Sequence, residues 1–240
     1  MKNRGKYLYS TVFLIALLGF SGCTSTLKVA AGTDGSADME FTSSMGTALS
    51  DTIKAITGKM EGNSSRGIFS EDSIRSTLAD SDFSAVKVST GKDSSLSAGG
   101  TLPPAEKQTH ATGSLRAADF IYTSSSKMTL TLTPENLFTM AQGLPEDTKS
   151  YLELFMAPVF SGEKMTKDEY RMLIASIYGE NIAKELESSA IDVTLIPPKG
   201  KSIKKSSPAN AESSASKAVF SIPLLDFLTL GTQKSYSIEW

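Results

Sequence analysis

The chain has 240 residues, a hydrophobic fraction of 40% and a formal net charge of −2. This composition is ordinary for one folded domain and excludes general disorder, and its slight acidity is a poor match to nucleic-acid phosphates, so we expect no nucleic-acid partner. The single cysteine excludes an internal disulfide, so the fold must depend on its apolar core.

The N-terminal segment has the parts of a bacterial export signal. Lys2, Arg4 and Lys6 form a basic start, and Val12–Phe20 form an apolar run. That run is about half of the roughly 20 residues that a membrane-spanning helix needs. The pattern therefore predicts a cleaved signal peptide over residues 1–22 rather than a transmembrane helix.

Phe20, Ser21, Gly22 and Cys23 resemble the lipobox that lipoprotein signal peptidase recognises. The usual pattern has Leu three places before the cysteine, and Phe20 matches its relaxed form. The resemblance implies cleavage before Cys23, diacylglycerol on its sulfur and an acylated amino group. Two or three acyl chains would hold the protein on the inner or the outer membrane of the bacterial envelope. The alternative is a secreted protein with a free thiol.

A short tether over residues 23–26 is expected to join this anchor to a single domain over residues 27–240. At about 3.5 Å per residue, it would keep the domain within about 15 Å of the lipid. Leu27–Ser44 is predicted to form a hairpin, because Asp34 and Gly35 make a two-residue turn signal between alternating segments.

Helices and further hairpins are predicted over the next hundred residues. Apolar residues at helical spacing predict a helix over Met45–Met60, and Ser70 before two acids predicts the start of another. Alternating sequences predict two strand pairs. These pairs are Phe83–Ser89 with Ser94–Leu102, and Phe120–Thr123 with Lys127–Thr133.

Residues 134–188 are predicted to form a helical block, as an insertion or a subdomain. Pro134 and Pro145 each suit the first turn of a helix. Thr166–Glu169 is a capping box, which predicts that a third helix begins there and ends at Gly179.

The C-terminal part is predicted to return to strands. Ile191–Ile196 has the composition of a strand, whereas residues 197–217 are rich in Lys, Ser and Pro and are predicted to form a flexible loop. A strand from Ala218, a short helix over Pro223–Leu230 and a last strand over Lys234–Trp240 follow. The whole order predicts an α+β fold, with an antiparallel sheet built from hairpins, inserted helices and a central helical block.

No catalytic or metal-binding pattern is present in the sequence. His110 is the only histidine and lies in a polar loop, whereas a zinc site needs several His or Cys ligands and a general base needs an oriented partner. We therefore expect no enzyme activity, no metal and no cofactor.

A possible apolar ligand pocket is predicted in the helical block. Met140, Phe155, Met156 and Met172 are flexible or aromatic side chains in its helices. Such residues suit an adaptable pocket for a lipid-like ligand, and they suit an ordinary core equally well.

Both ends of the chain resemble small bacterial lipoproteins of the LppM-like kind. Cys23 is followed almost at once by a strand, the Asp34 and Gly35 turn, and a second strand. Near the other end, Phe220–Leu225 (FSIPLL) leads into a closing strand. The resemblance covers the outer thirds of the chain, and it implies an envelope lipoprotein without enzyme activity.

Three functions follow as hypotheses. The first is a non-enzymatic, membrane-anchored envelope lipoprotein with a structural or interaction role, whose partner is another envelope component. The second is a carrier of apolar ligands such as lipids. The third is a hydrolase of envelope polymers, which would need paired carboxylates in a cleft.

Overall fold

The computed structural model describes most of the chain after residue 23. The described residues are 24–44, 46–52, 55, 71–79, 83–91, 95–107, 120–142, 155, 157–209 and 211–240.

These residues form two β-sheets and a set of helices. The strands are β1 (Thr24–Ala31), β2 (Ala37–Ser44), β3 (Ser84–Thr90), β4 (Ser95–Leu102), β5 (Ile121–Thr123), β6 (Lys127–Leu132), β7 (Ala190–Ile196), β8 (Lys205–Ser207), β9 (Glu212–Ser213), β10 (Ala218–Pro223) and β11 (Lys234–Glu239). The helices with defined bounds are α1 (Glu71–Ala79), α2 (Pro134–Gln142), α3 (Pro158–Ser161), α4 (Lys167–Tyr178), α5 (Glu180–Glu187) and α6 (Leu224–Leu228), and a 3-10 turn covers Ala105–Lys107.

The larger sheet has seven strands in the order β3-β4-β2-β1-β7-β10-β9. The smaller sheet has four, in the order β5-β6-β11-β8. Neighbouring strands are antiparallel except for β1 and β7, which run parallel with Thr24 opposite Ala190. The α+β prediction is confirmed. The sequence did not predict the division into two sheets or the parallel pair.

The predicted N-terminal hairpin is confirmed. β1 and β2 are antiparallel, and the N–H of Gly32 donates to the Ser36 carbonyl at 2.8 Å across the turn. Gly35 has a φ of 87°, which favours glycine. The Asp34 carboxylate accepts hydrogen bonds from the Ser36 N–H (3.1 Å) and hydroxyl (2.5 Å), and these bonds lower its pKa.

The structure corrects the predicted tether over residues 23–26. β1 begins at Thr24, three residues earlier than the sequence indicated. Ser25 is buried, and its hydroxyl lies 3.0 Å from that of Ser43 on β2. The sequence did not predict this part of the strand, because Ser25 and Ser43 are buried through a contact between their hydroxyls rather than through apolar packing. The folded domain therefore starts directly after Cys23.

The core lies on one face of each central strand. Alternate residues of β7 are buried, and Leu195 is fully enclosed. On β6, the predicted alternation is confirmed, because Met128, Leu130 and Leu132 are buried while the threonines between them are partly exposed.

The predicted capping box at the start of α4 is confirmed. The Glu169 N–H donates to the Thr166 hydroxyl at 3.3 Å, and the Thr166 N–H donates to the Glu169 carboxylate at 2.8 Å. Arg171 then joins α4 to α5 through ion pairs with Glu180 and Glu187. Along the chain, the central helices connect β6 of the smaller sheet to β7 of the larger one.

Two short strands lie within the predicted flexible loop over residues 197–217. This stretch contributes β8, which pairs with β11, and β9, which pairs with β10. Both strands are short, mostly exposed and polar. They are held by backbone hydrogen bonds at sheet edges, so they lack the apolar alternation from which strands are predicted.

Replacing Leu195 by alanine tests the position of the core. We expect Leu195→Ala to lower the free energy of unfolding by about 2–5 kcal/mol, since it leaves a cavity in a fully buried site. The measurement is urea unfolding followed by circular dichroism. Ile177→Ala is the control, because this side chain is 46% exposed and its loss should change stability by less than about 0.5 kcal/mol. Equal effects of the two changes would contradict this core.

Candidate functional site

Two of the four residues in the predicted apolar pocket have described side chains. Phe155 is half-buried, and its ring lies 6.0 Å from that of Tyr178. Met172 is 61% exposed on α4. Met140 lies in α2, but its side chain is outside the described set, as is all of Met156. A pocket formed by these four residues stays a prediction.

The other sequence-based candidates lie outside the described residues. These are Phe20, Ser21, Gly22 and Cys23 of the lipobox, and His110. Their roles therefore stay as the sequence predicts them.

A cleft of about 760 Å³ lies between the two sheets. One wall is β10 of the seven-stranded sheet, and the other is the first half of β11 in the four-stranded sheet. Residues of α6 and of the segment joining β8 to β9 also line it. We call this feature the inter-sheet cleft.

Two aromatic rings connect the walls of the inter-sheet cleft. The ring of Phe220 on β10 lies 5.3 Å from that of Tyr236 on β11, with the planes inclined by 59°. Such tilted pairs stabilise a contact beyond the apolar area that they bury. Burial, followed by the negative charge of Asp226, raises the pKa of Tyr236. The tyrosine is therefore a neutral hydroxyl group in the cleft at physiological pH.

The β10 wall presents unpaired backbone groups to the cleft. Peptide groups of a strand in an antiparallel pair point alternately to its two sides. The Leu224 N–H, directly after β10, donates to the Ser189 carbonyl on the β7 side at 2.9 Å. Ser221 is three positions earlier, so its N–H and C=O point away from β7. β9 pairs only with Ala218 and Val219, and no other described strand covers this edge at Ser221.

The β11 wall has the same property. The Trp240 N–H donates to the Ser126 carbonyl on the β6 side at 3.0 Å. Ser235 is five positions earlier, so its peptide groups point away from β6. β8 pairs with residues 237–239 only, and Pro208, which has no N–H, ends it. Among the described strands, none pairs with β11 at Ser235 on this side.

The charged groups of the inter-sheet cleft are mainly acidic. Asp192, Glu212 and Asp226 line it together with one amine, that of Lys234. Asp226 also forms a 3.8 Å ion pair with Lys167 of α4. The remaining carboxylates favour a ligand with positive charge or with several hydrogen-bond donors.

The described part of the chain contains neither a cluster of metal ligands nor a membrane-spanning helix. No group of three or more His, Cys, Asp or Glu side chains there could hold a metal ion. None of the described helices is long and apolar enough to cross a membrane.

No family model, curated protein sequence or solved structure matches the chain. The likeness to LppM-like lipoproteins therefore stays an expectation from the sequence.

Sequence reasoning missed the inter-sheet cleft. Its lining mixes apolar, polar and acidic side chains from segments that lie far apart in the chain, and such a set has no signature in a sequence. The one signal present is Pro223 in a strand, because proline within a sheet indicates an edge.

Changing Tyr236 to phenylalanine tests the electrostatic environment of the cleft. An unfolded tyrosine ionises near pH 10, whereas Tyr236 in the folded protein holds its proton to higher pH. The unfolded state therefore releases this proton first as the pH rises above about 10, and its ionisation lowers the free energy of unfolding. Below about pH 10 the tyrosine is protonated in both states, so it does not make stability depend on pH. We expect Tyr236→Phe to lose less stability than the wild type between about pH 9 and about pH 11, in urea unfolding. Ser235→Ala is the control from the same wall, and an unchanged pH dependence in Tyr236→Phe would contradict the prediction.

Proposed function

We propose that this protein is a lipid-anchored lipoprotein of the bacterial envelope that binds a partner in the inter-sheet cleft. The anchor is supported by the lipobox pattern ending at Cys23. The binding role is supported by a cleft with unpaired backbone groups on two walls, acidic side chains and an aromatic pair that connects the walls. The proposed role is non-enzymatic, in keeping with the prediction made from the sequence.

The position of β1 brings the proposed anchor close to the cleft. Thr24 follows Cys23 directly and lies opposite Ala190 of β7, which in turn lies opposite Pro223 of β10. Two strand spacings are about 10 Å, so the Pro223 end of the cleft lies about that far from Thr24. With a lipid on Cys23, this end of the cleft would lie close to the membrane surface, which suits a partner that is itself held at the membrane.

A second candidate, hydrolysis of an envelope polymer, is favoured by one observation. Asp192, Glu212 and Asp226 line the same cleft, and paired carboxylates are the usual acid–base groups of glycoside hydrolysis. Incubation of purified cell-wall glycan with the protein and with its Asp192→Asn variant tests this candidate. Release of soluble fragments by the wild type alone would favour hydrolysis over binding.

Replacing Cys23 tests the anchor. We expect Cys23→Ser to move the protein from the membrane fraction to the soluble fraction, because the acyl chains supply the attachment. Mass spectrometry of the membrane form should show a diacylglycerol modification that the variant lacks. Ser21→Ala is the matched control, since it keeps a small residue in the lipobox and should stay membrane-bound. Membrane retention of Cys23→Ser would overturn the lipoprotein assignment.

Site-specific crosslinking tests the binding role. A photoreactive residue at Ser235 in the lipidated protein should capture a partner within intact cells. The control carries the photoreactive residue at position 90 in place of Thr90, on the β3 edge of the seven-stranded sheet, which is the edge away from β10 and the cleft. The Cys23→Ser form should lose the capture, because the partner is met at the membrane. Identical products from both positions would contradict a role for the cleft.

A further inference from the structure

We infer that the partner bound in the inter-sheet cleft is an extended polypeptide segment with basic side chains, held as an added strand along β10. This inference rests on the proposed function and specifies the partner of the same site. It draws on the backbone edges, the shape of the cleft and its charges.

The free part of the β10 edge has the length of a short strand. It runs from Phe220 to Pro223, beyond the point where β9 ends. Four residues at about 3.3 Å each give an edge of about 13 Å. Ser221 supplies one N–H and one C=O at its centre. The backbone of Pro223, two residues on, also points away from β7, so its lack of an N–H costs no hydrogen bond to that strand. A guest strand would therefore continue the edge that β9 covers only in part.

The opposite wall makes this edge a bounded site rather than an open surface. Ser235 on β11 presents its own N–H and C=O to the same cleft, and the contact between Phe220 and Tyr236 closes one side. Backbone donors and acceptors on both walls match a polypeptide, which carries both kinds of group on both of its edges. A lipid chain would leave them unpaired at a free-energy cost.

The charges of the cleft select among polypeptides. Asp192 and Glu212 have no ion-pair partner within 4 Å in the described part of the chain, whereas Asp226 is paired with Lys167. Side chains of an extended peptide point to the same face at every second residue. The guest should therefore carry Lys or Arg at alternate positions.

Selection from a random peptide library displayed on phage tests this inference, with the immobilised domain (residues 24–240) as bait. Synthetic versions of the enriched peptides are then measured by fluorescence anisotropy. Ser221→Pro is the decisive variant, because it removes an N–H that faces the cleft and keeps the bonds to β7. Thr90→Pro is the matched control. The N–H of the next residue, Gly91, donates to the Ser95 carbonyl on β4. The Thr90 N–H therefore points away from β4, at the β3 edge of the seven-stranded sheet.

We expect enriched peptides with Lys or Arg at alternate positions. Their affinity should fall about tenfold or more in Ser221→Pro and stay unchanged in Thr90→Pro. Methylation of the peptide backbone nitrogens should weaken binding similarly. The pair of changes Asp192→Asn and Glu212→Gln should remove the preference for basic residues, while Glu163→Gln, at an exposed acid outside the cleft, should not. Thermal unfolding of every variant checks that the fold is kept.

Three results would overturn the inference. They are a library without enrichment over the bare support, peptides that bind Ser221→Pro as well as the wild type, and enrichment of acidic or purely apolar peptides. If such a result accompanies anchor-dependent crosslinking from Ser235, the proposed function stands and the partner is not an added strand. A glycan or lipid captured there would then define the ligand class.

Discussion

The parallel pairing of β1 with β7 is the interaction on which the rest of the structure depends. It joins residues that lie more than half the chain apart, Thr24–Ala30 with Ala190–Ile196. β1 brings the N-terminal hairpin and the strands beyond it, while β7 brings β10 and β9. Without this pair, the seven-stranded sheet would be two separate pieces. Closing so long a loop is costly in chain entropy, and burial of Val29 and Leu195 offsets that cost.

Local features of the fold could be predicted from the sequence. The turn at Asp34 and Gly35, the capping box at Thr166 and the alternation of β6 each depend on residues a few positions apart. The parallel pair could not be predicted, because it is an interaction between distant segments. β8 and β9 were missed for another reason, since exposed edge strands bury no apolar face and are held by their backbones alone.

The candidate site was less predictable than the fold. Sequence reasoning looked for side chains with characteristic chemistry, and so selected methionine and aromatic residues of the central helices. Of these, Met172 is largely exposed, and Phe155 packs on Tyr178. The inter-sheet cleft instead depends on where pairing stops, at Val219 on one strand and at Ser237 on another. The end of a hydrogen-bond ladder is a property of the three-dimensional sheet.

The start of β1 directly after Cys23 also has a mechanical consequence. β1 is hydrogen-bonded on both sides, to β2 and to β7. A force applied through a lipid on Cys23 would pull along the strand axis, so the bonds of both ladders would be loaded together in shear rather than opened one after another. The buried contact between Ser25 and Ser43 lies where that load enters. With the proposed anchor and partner attached, this arrangement of ladders would keep the domain folded while the two move relative to each other.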